Sequence, residues 1–292
     1  MRTALVALMA IWAGVANAAS PELTSAIENV RAACGGLSAE LSDMKKMAGI
    51  TTAVTGVGTV AAGVALGTGI AKANVDETIE MRETFKRIDI AALNEYMNQK
   101  YAEIDALEQK SKQLGNIRTG TLAAATATNI AGAIMSGTNR VKGDLKSQID
   151  ECLASVKTLS DVRMQAHMDK SADAAELARA DRIVSACDGW SMVDIDPINN
   201  RSTGATISSG IGAATGLAGT LASASANSEE VRGSNTDAGK QKEKKLNTTA
   251  NVLAGTTTVA SAAATVFNAT QISAIKRAAV VADECEGALN TL

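Results

Sequence analysis

Aromatic side chains are almost missing from this sequence: two Trp, two Tyr and two Phe in 292 residues. A large water-soluble core draws much of its buried area from such rings. Packing here must come from small side chains and close backbone approach instead. Proline is nearly absent as well. Pro21 and Pro197 are the only two, so no missing backbone donor breaks the long middles of the chain. Neither charge sign dominates. The 28 basic residues against 31 acidic ones give a net charge of −3, which makes no overall electrostatic case for nucleic acid or for strong attraction to anionic lipid.

The residues that carry chemistry are missing too. A single histidine, His167, cannot supply a recognisable zinc site, and no cysteine pair has close ligand spacing. No Gly-x-Ser-x-Gly elbow is present. Gly56-Val57-Gly58 has Ala61 where a dinucleotide loop needs its third glycine, and no phosphate-binding Gly-Lys-Ser/Thr occurs. Asp194-Ile195-Asp196 starts like a calcium loop, but Asn199 and Ala205 stand where the turn glycine and the bidentate glutamate belong. A turn containing Pro197 is the simpler reading. The sequence therefore points to no catalytic residue, metal, cofactor, small-molecule substrate or nucleic acid.

What the chain does contain is written twice. Each copy runs from a cysteine through an uncharged Gly/Ala/Thr stretch, a charged insert and a second uncharged stretch to Asp-Glu-Cys, ending at Cys152 and again at Cys285. Duplication defines a folding unit. The divisions expected are a secretory signal at 1–18, a first repeat at 19–152 with its insert at 73–113, a helical linker at 153–182, and a second repeat at 183–292. The signal reading rests on Arg2, the short apolar run from Ala4 to Val15, and the small-residue pattern Ala16-Asn17-Ala18. It implies export to a periplasm, envelope or extracellular space, where four cysteines read as two disulfides. Three pairings are open on number alone; the duplication favours Cys34–Cys152 and Cys187–Cys285.

The arms have helical period. Ile50, Val54, Val57, Ala61 and Val64 follow at steps of four and three, and Gly49, Gly56 and Gly63 at steps of seven. Cys34 to Lys72, Leu114 to Cys152, Cys187 to Ser225 and Asn247 to Cys285 each span 38 positions. Two antiparallel helical arms of equal length would bring each cysteine pair to one end. The expected fold is all-α: two tandem antiparallel hairpins of small-residue-rich helices, each closed by a disulfide. A coiled-coil-like insert distinguishes the first, with an interaction seam of Ile90, Leu93, Met97, Ile104, Leu107 and Leu114. Asp76 or Asp89 would cap helices there and Gly115 would end one. Asp173-Ala174-Ala175-Glu176 resembles a capping box. The second insert, Asn227 to Lys245, reads as a solvated loop whose lysine run is also suited to lipid headgroups.

Two functions from different classes fit. Four uncharged stretches, 47–71, 119–139, 202–228 and 246–275, are each long enough to cross about 30 Å of hydrocarbon. Gly63/Gly67 and Gly212/Gly216 have the spacing that lets helices approach closely. Yet the second stretch has only Leu122, Ile130 and Ile134 as large aliphatics, which is marginal for a span. The leading expectation is a non-enzymatic exported envelope protein that works through helix–helix contact, with itself or with a protein partner. The alternative is a membrane-inserting or pore-forming protein that uses the Gly/Ala-rich hairpins.

Overall fold

A computed structural model describes residues 20–86, 94–232 and 236–291, and the side chains of 83–98 lie outside that description. The expected signal, with Ile90, Leu93 and Asp89, falls outside the described residues, as does the side chain of Met97. The described residues are 93% helical and contain no strand, so the all-α expectation holds. In order come α1 (Pro21–Cys34), α2 (Leu37–Lys86), α3 (Asn94–Thr138), α4 (Gly143–Asp169), α5 (Ala174–Cys187), a 3₁₀ turn (Asp188–Met192), α6 (Asp196–Asn227), α7 (Glu229–Arg232) and α8 (Asp237–Asn290). They group into two units, each drawing on both halves of the chain. The first holds residues up to Lys46, Arg140–Asn199 and Ile272–Leu292; the second holds Met47–Asn139 and Asn200–Gln271.

The first unit follows the ordinary rules for a protein in water. Ser20 accepts from the backbone amide of Leu23 and Pro21 occupies the first turn, so α1 starts where a cap and a fixed φ favour it. Leu23, Ile27, Val30 and Cys34 then fall on one buried face. Gly36, at φ +87°, makes the turn into α2. On α4 the buried face is Leu145, Ile149, Cys152, Val156 and Leu159. Asp173 caps α5 by accepting from the Glu176 amide at 2.7 Å. Glu176 does not complete a capping box; its carboxylate accepts from the Ser20 backbone and the Thr24 hydroxyl, each at 3.0 Å, and joins α5 to α1. Trp190, Ile183, Ile198 and Leu289 are also buried.

Both expected disulfides form, Cys34–Cys152 and Cys187–Cys285. They lie side by side: the sulfurs of Cys34, Cys152 and Cys285 are all within 4.8 Å of one another. The bridges close separations of 118 and 98 residues, where chain-entropy models assign about 4–5 kcal/mol each.

Local expectations fail in four further places, each for a visible reason. Asp76 caps nothing, because α2 runs on to Lys86 and Asp76 pairs with Lys72 instead. Gly115 does not end α3. A Cβ there would lie 2.3 Å from Oδ1 of Asn227, so the glycine serves close approach. The lysine run Lys240–Lys245 is helical, inside α8. Pro197 stands in the first turn of α6, where its missing N–H costs nothing.

Candidate functional site

The second unit reverses the pattern of the first. On α2, Thr51, Thr55, Gly58, Ala62, Ala65, Gly69 and Lys72 follow at steps of four and three, and all are buried. Ile50, Ala53, Val57, Val60, Val64 and Gly67 follow at the same steps, and all are exposed. On α6 the buried line is Ser202, Ala205, Ser209, Gly212, Gly216, Gly219, Ser223 and Ala226, while Ile207, Ile211, Leu217 and Leu221 face outward. Ile130 and Ile134 on α3, and Val252, Val259, Val266 and Phe267 on α8, are exposed as well. Within the uncharged stretches of this unit, Leu122 is the one fully buried apolar side chain larger than alanine among the described residues. It packs with Ala65, Ala254 and Leu66.

The interior is a ladder of small polar groups bonded across helices. Asn129 donates to the Ser261 hydroxyl at 2.8 Å, and Ser261 donates to its own helix at the Thr257 carbonyl. Thr59 meets Thr265 at 3.1 Å and Thr215 meets Thr257 at 2.9 Å. One layer joins all four helices. Ser202 of α6 donates to the Ser136 carbonyl of α3, Ser136 donates to Asn268 of α8, and Asn268 donates to Thr55 of α2. Gln271 donates to the Asn139 carbonyl at 2.8 Å.

Small residues let these bonds form. A Cβ at Gly212 would sit 2.8 Å from the Asn129 amide, and one at Gly216 would sit 2.5 Å from the Thr126 hydroxyl. Many threonines satisfy their hydroxyls on the carbonyl four residues back, among them Thr52, Thr121, Thr128, Thr256 and Thr258. A threonine bonded this way needs little from solvent.

Charge gathers at the end of the bundle where these helices meet the inserts. Lys72, fully buried, reaches the carboxylates of Asp76 and Glu243, and Ser111 donates to Asp76. One turn nearer the apolar layer, buried Arg118 donates to Ser223 at 2.9 Å, Asn251 at 3.0 Å and Asn247 at 2.7 Å. Burial pushes the Arg118 guanidinium below its ordinary value, and Asp76 and Glu243 push it back up. A guanidinium starts so far above neutrality that it stays cationic.

The residues singled out from sequence meet different fates. The four cysteines pair as expected. Gly212 and Gly216 lie against α3, whereas added Cβ atoms at Gly63 and Gly67 would meet nothing within 4 Å. Of the seam, Ile104 is buried and Leu107 and Leu114 are half-buried. Sequence reading passed over Asn129, Asn268, Gln271, Lys72 and Arg118. Their signal was the four-three spacing of small and polar residues opposite the aliphatic stripe.

Reactive constellations are few. The cysteine sulfurs that cluster are all in bridges, so they offer no thiolate to a metal. His167 is exposed in the last turn of α4. A groove of about 420 Å³ in the first unit has Lys157, Ser160, Asp188 and Ser191 as its polar lining, where the Ser191 hydroxyl donates to the Asp188 backbone carbonyl at 2.7 Å. No known protein family, curated protein or solved structure matches the chain.

Proposed function

We propose that the second unit is a membrane-embedded four-helix bundle, formed by tandem hairpins α2–α3 and α6–α8, and that the first unit is a disulfide-locked water-exposed body on the exported side. The observation that carries this reading is the inversion of the second unit, polar inside and aliphatic outside, beside a first unit with an ordinary apolar core. In water each exposed Ile, Val or Leu forgoes part of the roughly 1.5–3 kcal/mol that full burial provides. In a bilayer the same face is solvated, small residues permit close helix approach, and interhelical polar bonds tie the helices together.

Two helical runs, Pro21–Arg82 and Asp237–Asn290, are long and apolar enough to cross a membrane, with only 28% and 33% of their apolar windows buried. The apolar core helix of a soluble protein would be mostly buried. Basic residues flank the uncharged stretches at every end but one, where Glu229 stands, so charge bias does not orient the chain, and the disulfides do. With four crossings, residues 20–46, 140–201 and 276–291 fall on the oxidising side and residues 72–118 and 229–245 on the other.

The role is structural or assembly-directed, not enzymatic and not that of an aqueous pore. The polar faces are spent on one another inside the bundle, and the outward faces are aliphatic. A second reading is favoured by the heptad spacing of exposed Ile50, Val57 and Val64: copies of the chain, or a helical partner, cover that stripe. Phase separation of the purified, oxidised protein separates the two. The membrane reading expects recovery in the detergent phase and resistance of the native protein to alkaline extraction. A water-soluble oligomer that never enters detergent would overturn it.

A further inference from the structure

We infer that Glu176 is the receptor for a new N-terminus at Ala19, created when the leader is removed, and that this contact couples maturation to the closure of α1 on α5. The inference rests on the secretory-signal reading and needs no bilayer. Removal of 1–18 is hydrolysis by a signal-processing protease. The C–N bond between Ala18 and Ala19 breaks; water gives its hydroxyl to the Ala18 carbonyl carbon and a hydrogen to the Ala19 nitrogen. The freed amine takes up a proton at neutral pH, because an α-amino group titrates near about 8. With the leader attached, the same nitrogen is an uncharged amide.

The first unit holds an acid placed for that charge. Ser20, the next residue, is buried at 7% exposure. Its backbone N–H donates to Glu176 Oε2 at 3.0 Å, and the Thr24 hydroxyl donates to Oε1 at 3.0 Å. Both donors are neutral. Glu176 is half-buried, and no ion pair engages it among the described residues. A carboxylate drawn partly out of water and held by neutral donors alone gains from a nearby cation. Consecutive backbone nitrogens lie within about 3.7 Å of each other. The Ala19 ammonium is therefore within roughly 7 Å of Glu176 Oε2 in any backbone conformation. At such range an opposite charge favours the ammonium form. The other acids of the two first turns are placed differently: Asp173 accepts from the Glu176 amide at 2.7 Å, and Glu22 is exposed. Sequence reading found the cleavage pattern but not its partner, which lies 156 positions from Ser20.

The test reads the charge state of that amine. The exported, oxidised chain is treated at neutral pH with a limiting amine-acylating reagent, and labelling of the N-terminal peptide is followed by mass spectrometry. Only the neutral amine reacts, so a carboxylate that favours the ammonium slows the reaction. Glu176→Gln keeps the shape and an acceptor oxygen, and is expected to label about three- to tenfold faster than wild type. Glu28→Gln, exposed and farther along α1, should label at the wild-type rate. One glycine inserted ahead of Ala19 moves the amine outward without altering a folded residue. That chain should also label faster, and adding Glu176→Gln to it should change nothing more. Equal rates for wild type and Glu176→Gln overturn the receptor, as does a glycine-extended chain as slow as wild type. If Glu176→Gln does not accumulate, the glycine-extended chain alone decides. An intact mass showing 1–18 retained, or a different first residue, overturns the signal reading on which the receptor rests and leaves the membrane reading standing.

Discussion

At the residue scale, an added side chain is judged by what it meets. A Cβ at Gly216 would lie 2.5 Å from Thr126 Oγ1, whereas one at Gly63 would meet nothing within 4 Å. Gly216→Leu is therefore expected to cost about 1–3 kcal/mol by overpacking. Gly63→Leu should be neutral, or stabilising by up to about 1 kcal/mol through helix propensity. Thermal unfolding followed by circular dichroism in detergent gives the comparison. Sequence spacing alone made both glycines packing residues, and spacing cannot say which side of a helix turns inward.

The same scale separates two cysteines of one bridge. Cys285 Sγ lies within 4.8 Å of both Cys34 and Cys152 sulfurs, and Cys187 stands outside that group. In Cys187→Ser, the freed Cys285 thiolate can attack the neighbouring bridge; a new S–S bond forms and one thiolate leaves. Peptide mapping after alkylation should find mixed pairings in that variant and clean Cys34–Cys152 in Cys285→Ser. The pairing was legible from the doubled Asp-Glu-Cys ending. The adjacency of the bridges was not, because nothing in either copy says that both share one core.

At the scale of elements, the helices were readable and their inner faces were not. Four-three steps and uncharged runs identify α2, α3, α6 and α8, but the usual rule turns branched aliphatics inward. Here Ile50, Val57 and Val64 face out while Thr51, Thr55 and Lys72 face in. Lys72, held by Asp76 and Glu243 with Ser111 behind, joins α2, α3 and α8 at one end. Lys72→Met leaves two acids without their cation and should destabilise by about 1–3 kcal/mol. This is below the 3–5 kcal/mol of a fully buried pair, since Asp76 and Glu243 retain some exposure. Adding Asp76→Asn and Glu243→Gln to Lys72→Met should return most of the loss, because a neutral set needs no counter-charge. A triple variant as unstable as the single one would mean that Lys72 acts through its packing and not its charge.

At the scale of the whole molecule, one chain carries two opposite solvent patterns, and each pattern draws on both halves of the sequence. Residues 20–46, 140–199 and 272–291 bury Leu, Ile, Val and Trp as a protein in water does. Residues 47–139 and 200–271 bury Thr, Ser, Asn, Gly and Ala. Helices such as α2 and α8 carry both patterns, switching near Lys46 and Gln271. The switch falls where charged residues end and uncharged stretches begin, as expected of a helix passing from an aqueous to a lipid surrounding. The proposed membrane reading therefore predicts a sidedness that can be measured. Met168, exposed on α4, belongs to the first unit; Lys244, exposed on α8, belongs to the second. In sealed vesicles of defined orientation, a membrane-impermeant maleimide should modify only one of Met168→Cys and Lys244→Cys, and both once detergent opens the vesicle. Labelling of both in intact vesicles would place the two positions on the same side, which the single crossing by α6 between them does not allow.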